Sequence, residues 1–510
     1  MSSKLKKIII MAIILLPVAF ALQPIAFEEA DASGEEWNKR FGGEGIEGAE
    51  DIVQTEDGGY MVAGKTTSIG SGQRDGWLIK IDRNGNEIWN KTYGGGGEDL
   101  FNSISKVDQG YILGGYTNSY GAGQSDFWLV KIDSDGHETW NRTFGGENEE
   151  FARDVVPAKD GGYLLVGYTG SYGYGGDIWV VKTDEYGELD WERTFGGEEN
   201  EWGNAVVSVE DGYAVVGSTG SIGAGGWDVW LVKINDSGYE CWNRTYGGPG
   251  MERGVCIRAA TDGGYVIAGT SNSYSSGEWN DALFLKTDRN GESEWSRVFG
   301  GDSEDAVCSI ICCDGGGYIL IGTTASYAIG YFDIWAIKTD INGDMIWEKT
   351  FGGRDRDVAN CGIRLQNGGY MVAGETQHQS SIDMWIINTY DYFPPNIEIV
   401  SPKENHLYLF DREIMPMKNT LIIGGITVQT EVNDPGGGID KVAFYLTGQD
   451  LYDYEPRTVI YAAPYTWNWN SYAIGLRYPY TVTVGAYYGQ AGGVAADRET
   501  VYIINLGHSS

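Results

Sequence analysis

The sequence predicts an all-β protein: a seven-bladed β-propeller closed by an N-terminal strand and followed by a smaller β-sandwich. Three observations carry that expectation. The first is a repeated anchor. "WNKRFGG" from Trp37 returns as "WNKTYGG" from Trp89, "WNRTFGG" from Trp140, "WERTFGG" from Trp191, "WNRTYGG" from Trp242, "WSRVFGG" from Trp295 and "WEKTFGG" from Trp347. Successive anchors lie 51 to 53 residues apart, a period that suits one four-stranded blade. The second is composition: 77 glycines in 510 residues and 13% aromatics suit many short strands joined by tight turns. The third is where the period breaks. After Thr389 the expected turn and last strand give way to "YDYFPPN".

One unit, Phe144 to Trp191, shows the elements in order. Strand A is "ARDVV", followed by the turn "KDGG"; strand B is "YLLVGYT", followed by a longer glycine-rich loop. Strand C is "DIWVVKT", followed by the turn "DEYG", and strand D is "LDWERTF". Strand B is apolar almost throughout ("YMVAG", "YAVVG", "YILIG"), as a strand covered on both faces must be. The seventh unit stops after strand C, while the first anchor follows no strand C of its own. Lending Trp37–Phe41 to the seventh unit pairs its bare edge and closes the ring. The propeller is therefore expected over residues 36–391.

The ends differ in character. Lys4, Lys6 and Lys7 precede an apolar run from Ile8 to Ala21, and Ala30-Asp31-Ala32 offers a cleavage site. Residues 1–32 thus read as a signal peptide, with an uncleaved anchor as the alternative. The mature chain is expected to be secreted or held at the extracellular surface, without membrane insertion. A formal charge of −36 argues against nucleic acid or an anionic membrane as partner. From 394 to 506 the period vanishes, and strands such as "NIEIVSP", "KVAFYLTG" and "YTVTVGAYY" suit a sandwich. This segment resembles the Ig-like modules appended to secreted bacterial and archaeal proteins. The resemblance implies a spacer or presenter without chemistry of its own.

The repeat "W-x-[KR]-T-[FY]-G-G … D-G-G-Y-x-V-x-G-x-T … D-x-W-L-x-K-x-D-x-x-G" resembles that of exported archaeal and bacterial propeller proteins. "KIDRNGNEIW" (Lys80–Trp89) further resembles the tryptophan-docking motif of the quinoprotein dehydrogenases. The resemblance implies fold rather than activity. Enzymes on this scaffold form the competing class. A quinone-dependent dehydrogenase is suggested by adjacent Cys312-Cys313, but such enzymes use eight larger blades and calcium ligands that have no match here. A carbohydrate-cleaving, sialidase-like hydrolase is suggested by the Asp-rich C–D turns, but the sequence places no arginine cluster for it. His137, His378, His406 and His508 lack any ligand or triad spacing. No cofactor is expected. The six cysteines allow either disulfides or free buried thiols.

Two carboxylate series recur in every unit. One is Glu47, Asp99, Glu150, Glu201, Glu252, Asp305 and Asp357, placed on the D–A loops; the other is Asp75, Asp126, Asp177, Asp228, Asp281, Asp333 and Asp383, before the strand-C aromatic. The expected role is architectural, each carboxylate accepting backbone N–H bonds. The alternative for the first series is a cation-binding ring at one mouth of the channel. The A–B and C–D turns are short and uniform, whereas the B–C loops vary and carry Tyr120, Tyr172, Tyr174, Trp227, Tyr274, Trp279 and Tyr331. Those aromatics are the ligand-binding candidates for a glycan or protein partner at the loop face, and packing between blades is their alternative use. Four sequons, at Asn90, Asn141, Asn235 and Asn243, are glycosylation candidates.

Overall fold

The computed structural model describes residues 36–390, apart from 276–278, 314–315, 367 and 379, and the strands of the tail between 396 and 505. Residues 1–32, where a signal peptide is expected, and the prolines at 394–395 lie outside the described residues. No α-helix occurs among the described residues.

Blade one consists of strands Glu47–Gln54, Tyr60–Thr66, Asp75–Ile81 and Glu87–Tyr93, hydrogen-bonded in that order and antiparallel. Five further blades repeat this order, the sixth ending at Met345–Phe351. Blade seven takes Asp357–Arg364, Tyr370–His378 and Ser381–Thr389 from its own unit. Its outer strand is Trp37–Phe41, which pairs antiparallel with strand C from Trp37↔Asn388 to Phe41↔Met384.

Each sheet buries both faces of its two central strands against neighbouring blades, so strands B and C read as continuous apolar runs. Strand C is buried along its whole length in blades three to six. Strand D alternates, because its outer face meets water.

Two contacts fix the spacing between blades. The strand-D tryptophan of each of blades one to five lies on the C–D turn glycine of the next, as Trp140 on Gly187, Trp242 on Gly291 and Trp295 on Gly343, while Trp347 of blade six stacks on Tyr370. Gly187 has φ +79°, and a Cβ there would come within 2.6 Å of the Trp140 ring. Only glycine meets both demands. The same contact occurs across the closure, where Trp37 lies on Gly85 of blade one. Near the axis, Asn102, Asn204 and Asn360 each donate a side-chain N–H to a strand-A carbonyl of the following blade; Asn360 reaches Ala49 O at 2.8 Å and so links blade seven to blade one.

In blades one, four and six an indole N–H of strand C donates to strand D, whereas Trp128 of blade two buries its N–H without a partner and blade five has Leu283 there. Trp77 donates to Asn90, Trp230 to Asn243 and Trp335 to Glu348. At the closure Trp385 donates to Asn38 Oδ1 at 3.3 Å. The borrowed strand therefore makes the bonds of a native one.

The tail folds as β-strands in two sheets, one of three strands (Asn396–Ser401, Ile426–Asn433, Thr466–Trp469). Its last strand, Gly493–Asn505, runs onto the outer edge of blade six through Thr350↔Val494 and Phe351↔Gly493. Thr350 Oγ1 donates to Val494 O at 2.7 Å, and Val494 packs with Ile329 and Ala443. The tail thus covers an exposed strand edge of the propeller, a contact the spacer role did not foresee.

Removing residues 36–43 should expose the strand-C edge of blade seven and strip Gly85 of its tryptophan. The expected result is a melting temperature lower by roughly 10 °C or more, with self-association through the bare edge. Calorimetry and light scattering on the truncated chain would check it; an unchanged melting curve would remove N-terminal closure.

Candidate functional site

The first carboxylate series opens strand A in every blade, and all seven side chains are buried. Glu150 shows the pattern. Its Oε2 accepts the Gly146 amide at 2.7 Å, and its Oε1 accepts Thr169 Oγ1 at 3.0 Å and the Ser171 amide at 3.1 Å. Glu47, Glu201 and Glu252 repeat it with Gly43, Gly197 and Gly248. Asp99, Asp305 and Asp357 take Gly95, Gly301 and Gly353 in the same way. Each carboxylate thereby ties the "FGG" arriving from the previous blade to the end of its own strand B.

The second series opens strand C in blades one to six and closes the B–C loop. Asp75 Oδ2 accepts the Ser71 and Gly72 amides at 3.0 Å, Asp177 Oδ2 the Tyr174 amide at 3.0 Å and Asp228 Oδ2 the Ala224 amide at 2.8 Å.

The two series meet at each seam. A side chain on Gly196 would collide with both Asp177 Oδ1 and Glu201 Oε2, and one on Gly247 with Asp228 Oδ1 and Glu252 Oε2. Asp177 Oδ1 and Asp228 Oδ1 are buried and receive no hydrogen bond. Burial first, and the facing glutamate second, push the Asp177 and Asp228 carboxyls upward; Asp126 beside Glu150 is pushed up to about 6. No group of three or more His, Cys, Asp or Glu side chains able to hold a metal occurs among the described residues.

Inside the ring, strand A carries a bulge in every blade, between Ala49 and Asp51 in blade one and at the matching place in the others. The residue after the first-series carboxylate is Gly48, Leu100, Phe151, Trp202, Arg253, Ala306 or Val358 by blade. Opposite these on strand B stand Lys65, Tyr116, Tyr168 and Glu375 in blades one, two, three and seven. A cavity of about 450 Å³ opens there, at the loop-face end of strands A and B, lined by blades one to four and seven.

One wall of the cavity is aromatic: Tyr168 stacks on Trp202 at 4.2 Å, and Tyr116 meets Phe151 edge-on at 4.8 Å. Arg74, Arg153 and Arg356 also line it, an arginine cluster that sequence reasoning did not place. Deeper in, Ser103 Oγ lies 3.2 Å from Asp51 and 2.9 Å from Asp154, yet its single proton serves one of them at a time. Burial pushes the Asp51 carboxyl up to about 6.

The loop aromatics divide into two groups. Tyr120, Tyr172 and Tyr274 donate their hydroxyls to Gly94, Gly145 and Gly247 of the adjoining seam at 2.8 to 3.0 Å, so one edge of each ring is tied down. Trp227 is half-buried, and its carbonyl accepts the Glu252 amide. Tyr174, Trp279 and Tyr331 are exposed, Tyr174 at 81%, and the tied rings are exposed as well, Tyr274 as much as Trp279 at 57%. The opposite face is pinned by ion pairs between strand-C lysines and A–B turn aspartates: Lys80–Asp57, Lys182–Asp160, Lys233–Asp211 and Lys286–Asp262, at 2.8 to 2.9 Å.

Among the sequons, Asn90, Asn141 and Asn243 lie on strand D, each donating to the glutamate three residues earlier; Asn235 accepts the Ser237 and Tyr239 amides of its turn. All six cysteines are free thiols, Cys256 and Cys361 buried.

Glu150→Gln should destabilise the chain by about 1–3 kcal/mol, because a charge-assisted bond to a buried amide is weakened. The raised carboxyls set the pH response. Asp51, Asp126 and Asp357 are raised to about 6, above their unfolded values, so their contribution is complete below about pH 4 and is lost as pH rises through about 6. The melting temperature should therefore be several degrees higher at pH 5 than at pH 8. Calcium should leave it unmoved; a calcium-induced rise absent in Glu150→Gln would restore the cation ring.

Among known proteins, residues 414–485 match the bacterial Ig domain family. No curated protein matches the chain. Solved structures similar to it include the WD40 domain of Neurospora crassa Pan2, at 10% identity and TM-score 0.43 over 68% of this chain and 90% of that one. Puromycin hydrolase is similar at 12% identity and TM-score 0.43, over 76% of this chain and 59% of that one. Fibronectin(III)-like modules of Clostridium thermocellum CbhA align with 22% of this chain and 98% of their own at 17% identity and TM-score 0.16. At this likeness none of them assigns an activity. The chain is a seven-bladed propeller whose tail carries a bacterial Ig domain.

Proposed function

We propose that this protein is an exported, non-catalytic binding or cell-surface interaction module, of the quinoprotein-dehydrogenase-like propeller superfamily, that presents its loop face to a glycan or protein partner. The reading rests on one observation: the two faces of the disc differ in kind. The A–B and C–D turns are short and bound into the scaffold by a lysine–aspartate pair in four of the blades. The loop face varies from blade to blade, exposes Tyr174, Trp279 and Tyr331, and opens into the cavity at the axis. Variable loops on a rigid scaffold are where recognition concentrates.

Rigidity favours this use. The B–C loops of blades one, three, four and six are anchored at both ends by buried carboxylates, so little conformational entropy remains there to be lost on binding. The Ig domain supports a surface location; the tail packs on Ile329 in the B–C loop of blade six, so the reading assigns the partner to the loops of the other blades.

Changing Tyr174 and Trp279 together to Ala should weaken capture of the partner by at least about tenfold, as loss of exposed aromatic anchors does. The melting temperature should hold, since both rings are exposed. A glycan array combined with affinity capture from the cell surface would supply the partner, and wild-type and double-variant affinities would be compared. Undiminished binding by the double variant, or binding abolished by changes on the lysine–aspartate face, would sink the reading.

A further inference from the structure

The cavity at the axis has a charge pattern unlike the rest of this acidic protein. Lys65 is held between Glu50 at 2.7 Å and Glu375 at 2.8 Å, and Arg356 lies 3.8 Å from Glu375. These four charges balance. Arg74 and Arg153 also line the cavity and have no carboxylate partner among the described residues. Arg74 Nε is buried without a hydrogen bond, and Arg153 is exposed with its guanidinium 5.7 Å from the centre of the Trp202 ring. Tyr116 already takes a side-chain hydrogen bond from Arg74 and feels both cations as well as Glu98, so it is the Nε of Arg74 that is left over. A chain of net charge −36 thus sets two arginines outside the Lys65 cluster beside an aromatic wall, with Asp51 and Asp154 deeper in.

Resting on the loop-face reading above, we infer that this cavity is a binding site for a carboxylated sugar residue of a glycan. Each part of the site has a counterpart in that ligand. A guanidinium matches a planar carboxylate with two parallel N–H donors, and burial of Arg74 Nε without a partner leaves a donor unsatisfied until an anion arrives. The faces of Trp202 and Phe151 suit the apolar face of a pyranose ring. Glu50 and Glu375 keep spare lone pairs for hydroxyl donors on the far side. Those same two carboxylates weigh against a phosphate dianion, whose second charge they would repel. A volume of about 450 Å³ is within the range of small-ligand sites.

The test is an array of oligosaccharides in matched pairs, each hexuronate-containing member printed beside its methyl ester, probed with the full chain. Positives would be titrated calorimetrically at two salt concentrations. The expected result is binding of carboxylated members at least about tenfold tighter than of their esters, weakening as salt is raised. Arg153→Gln, at an exposed position, should remove most of that preference with the melting temperature unchanged, and Arg74→Gln should add to the loss. Trp202→Ala should weaken acid and ester alike. Equal affinity for acid and ester, or an Arg153→Gln variant that keeps the preference, would overturn the carboxylate site while leaving the loop-face reading standing. No binding to any carboxylated member would also overturn it, and capture of a protein partner by the same face would then show that the wider reading had survived. Loss of both would retire the two together.

Discussion

The ring depends on one contact repeated between blades: the strand-D tryptophan laid on the positive-φ glycine of the next C–D turn. The contact sets how far apart two blades stand, because the indole fills the gap and the absent Cβ lets it approach. An aromatic of this size buries about 150–250 Å² when enclosed. It also explains the spacing of the repeat, in which "D-x-x-G" and "W" sit a few residues apart yet serve different seams: the glycine receives the tryptophan of the blade before, and the tryptophan reaches the blade after. Trp37 performs this task across the closure, which accounts for an anchor placed ahead of the first full unit.

With the blades so spaced, the carboxylates convert each seam into a rigid mount. A glutamate or aspartate at the start of strand A gathers the arriving "FGG" and the strand-B end, and an aspartate at the start of strand C gathers the B–C loop. Two buried carboxyls facing each other across a glycine are costly when both are charged. That cost falls on Asp126, Asp177, Asp228 and Asp383, whose carboxyls burial pushes upward. What the mounts leave unconstrained is the residue next to each strand-A carboxylate and the tip of each B–C loop. Those positions hold the variation, and in blades two to four they hold Leu100, Phe151 and Trp202.

Much of this was legible in the sequence. The period and the anchor that preceded it gave blade number and closure, because a strand pairing with a distant partner still carries its own repeat signature. Both carboxylate series were legible as invariant positions within the repeat. The cavity was not. Strand A bulges in every blade, and a bulge breaks the two-residue alternation by which inward and outward side chains are told apart. Arg153 and Asn102 sit on that extra residue, and Arg74 comes to the mouth from a loop. The available signal was variation: among inner-strand positions, the one after the carboxylate changes from glycine to tryptophan between blades. The contact between tail and blade six was equally hidden, since no local pattern marks Thr350 as the partner of a residue 144 positions later.

The central claim is that the loop face, with the cavity at its axis, is the recognition surface. Hydrogen exchange on the full chain, free and saturated with its captured partner, tests this most directly. The account predicts slowed exchange at the starts of strand A in blades two to four and in the B–C loops around Tyr174 and Trp279, with the A–B and C–D turns unchanged. Protection confined to those turns, or to the tail, would contradict it.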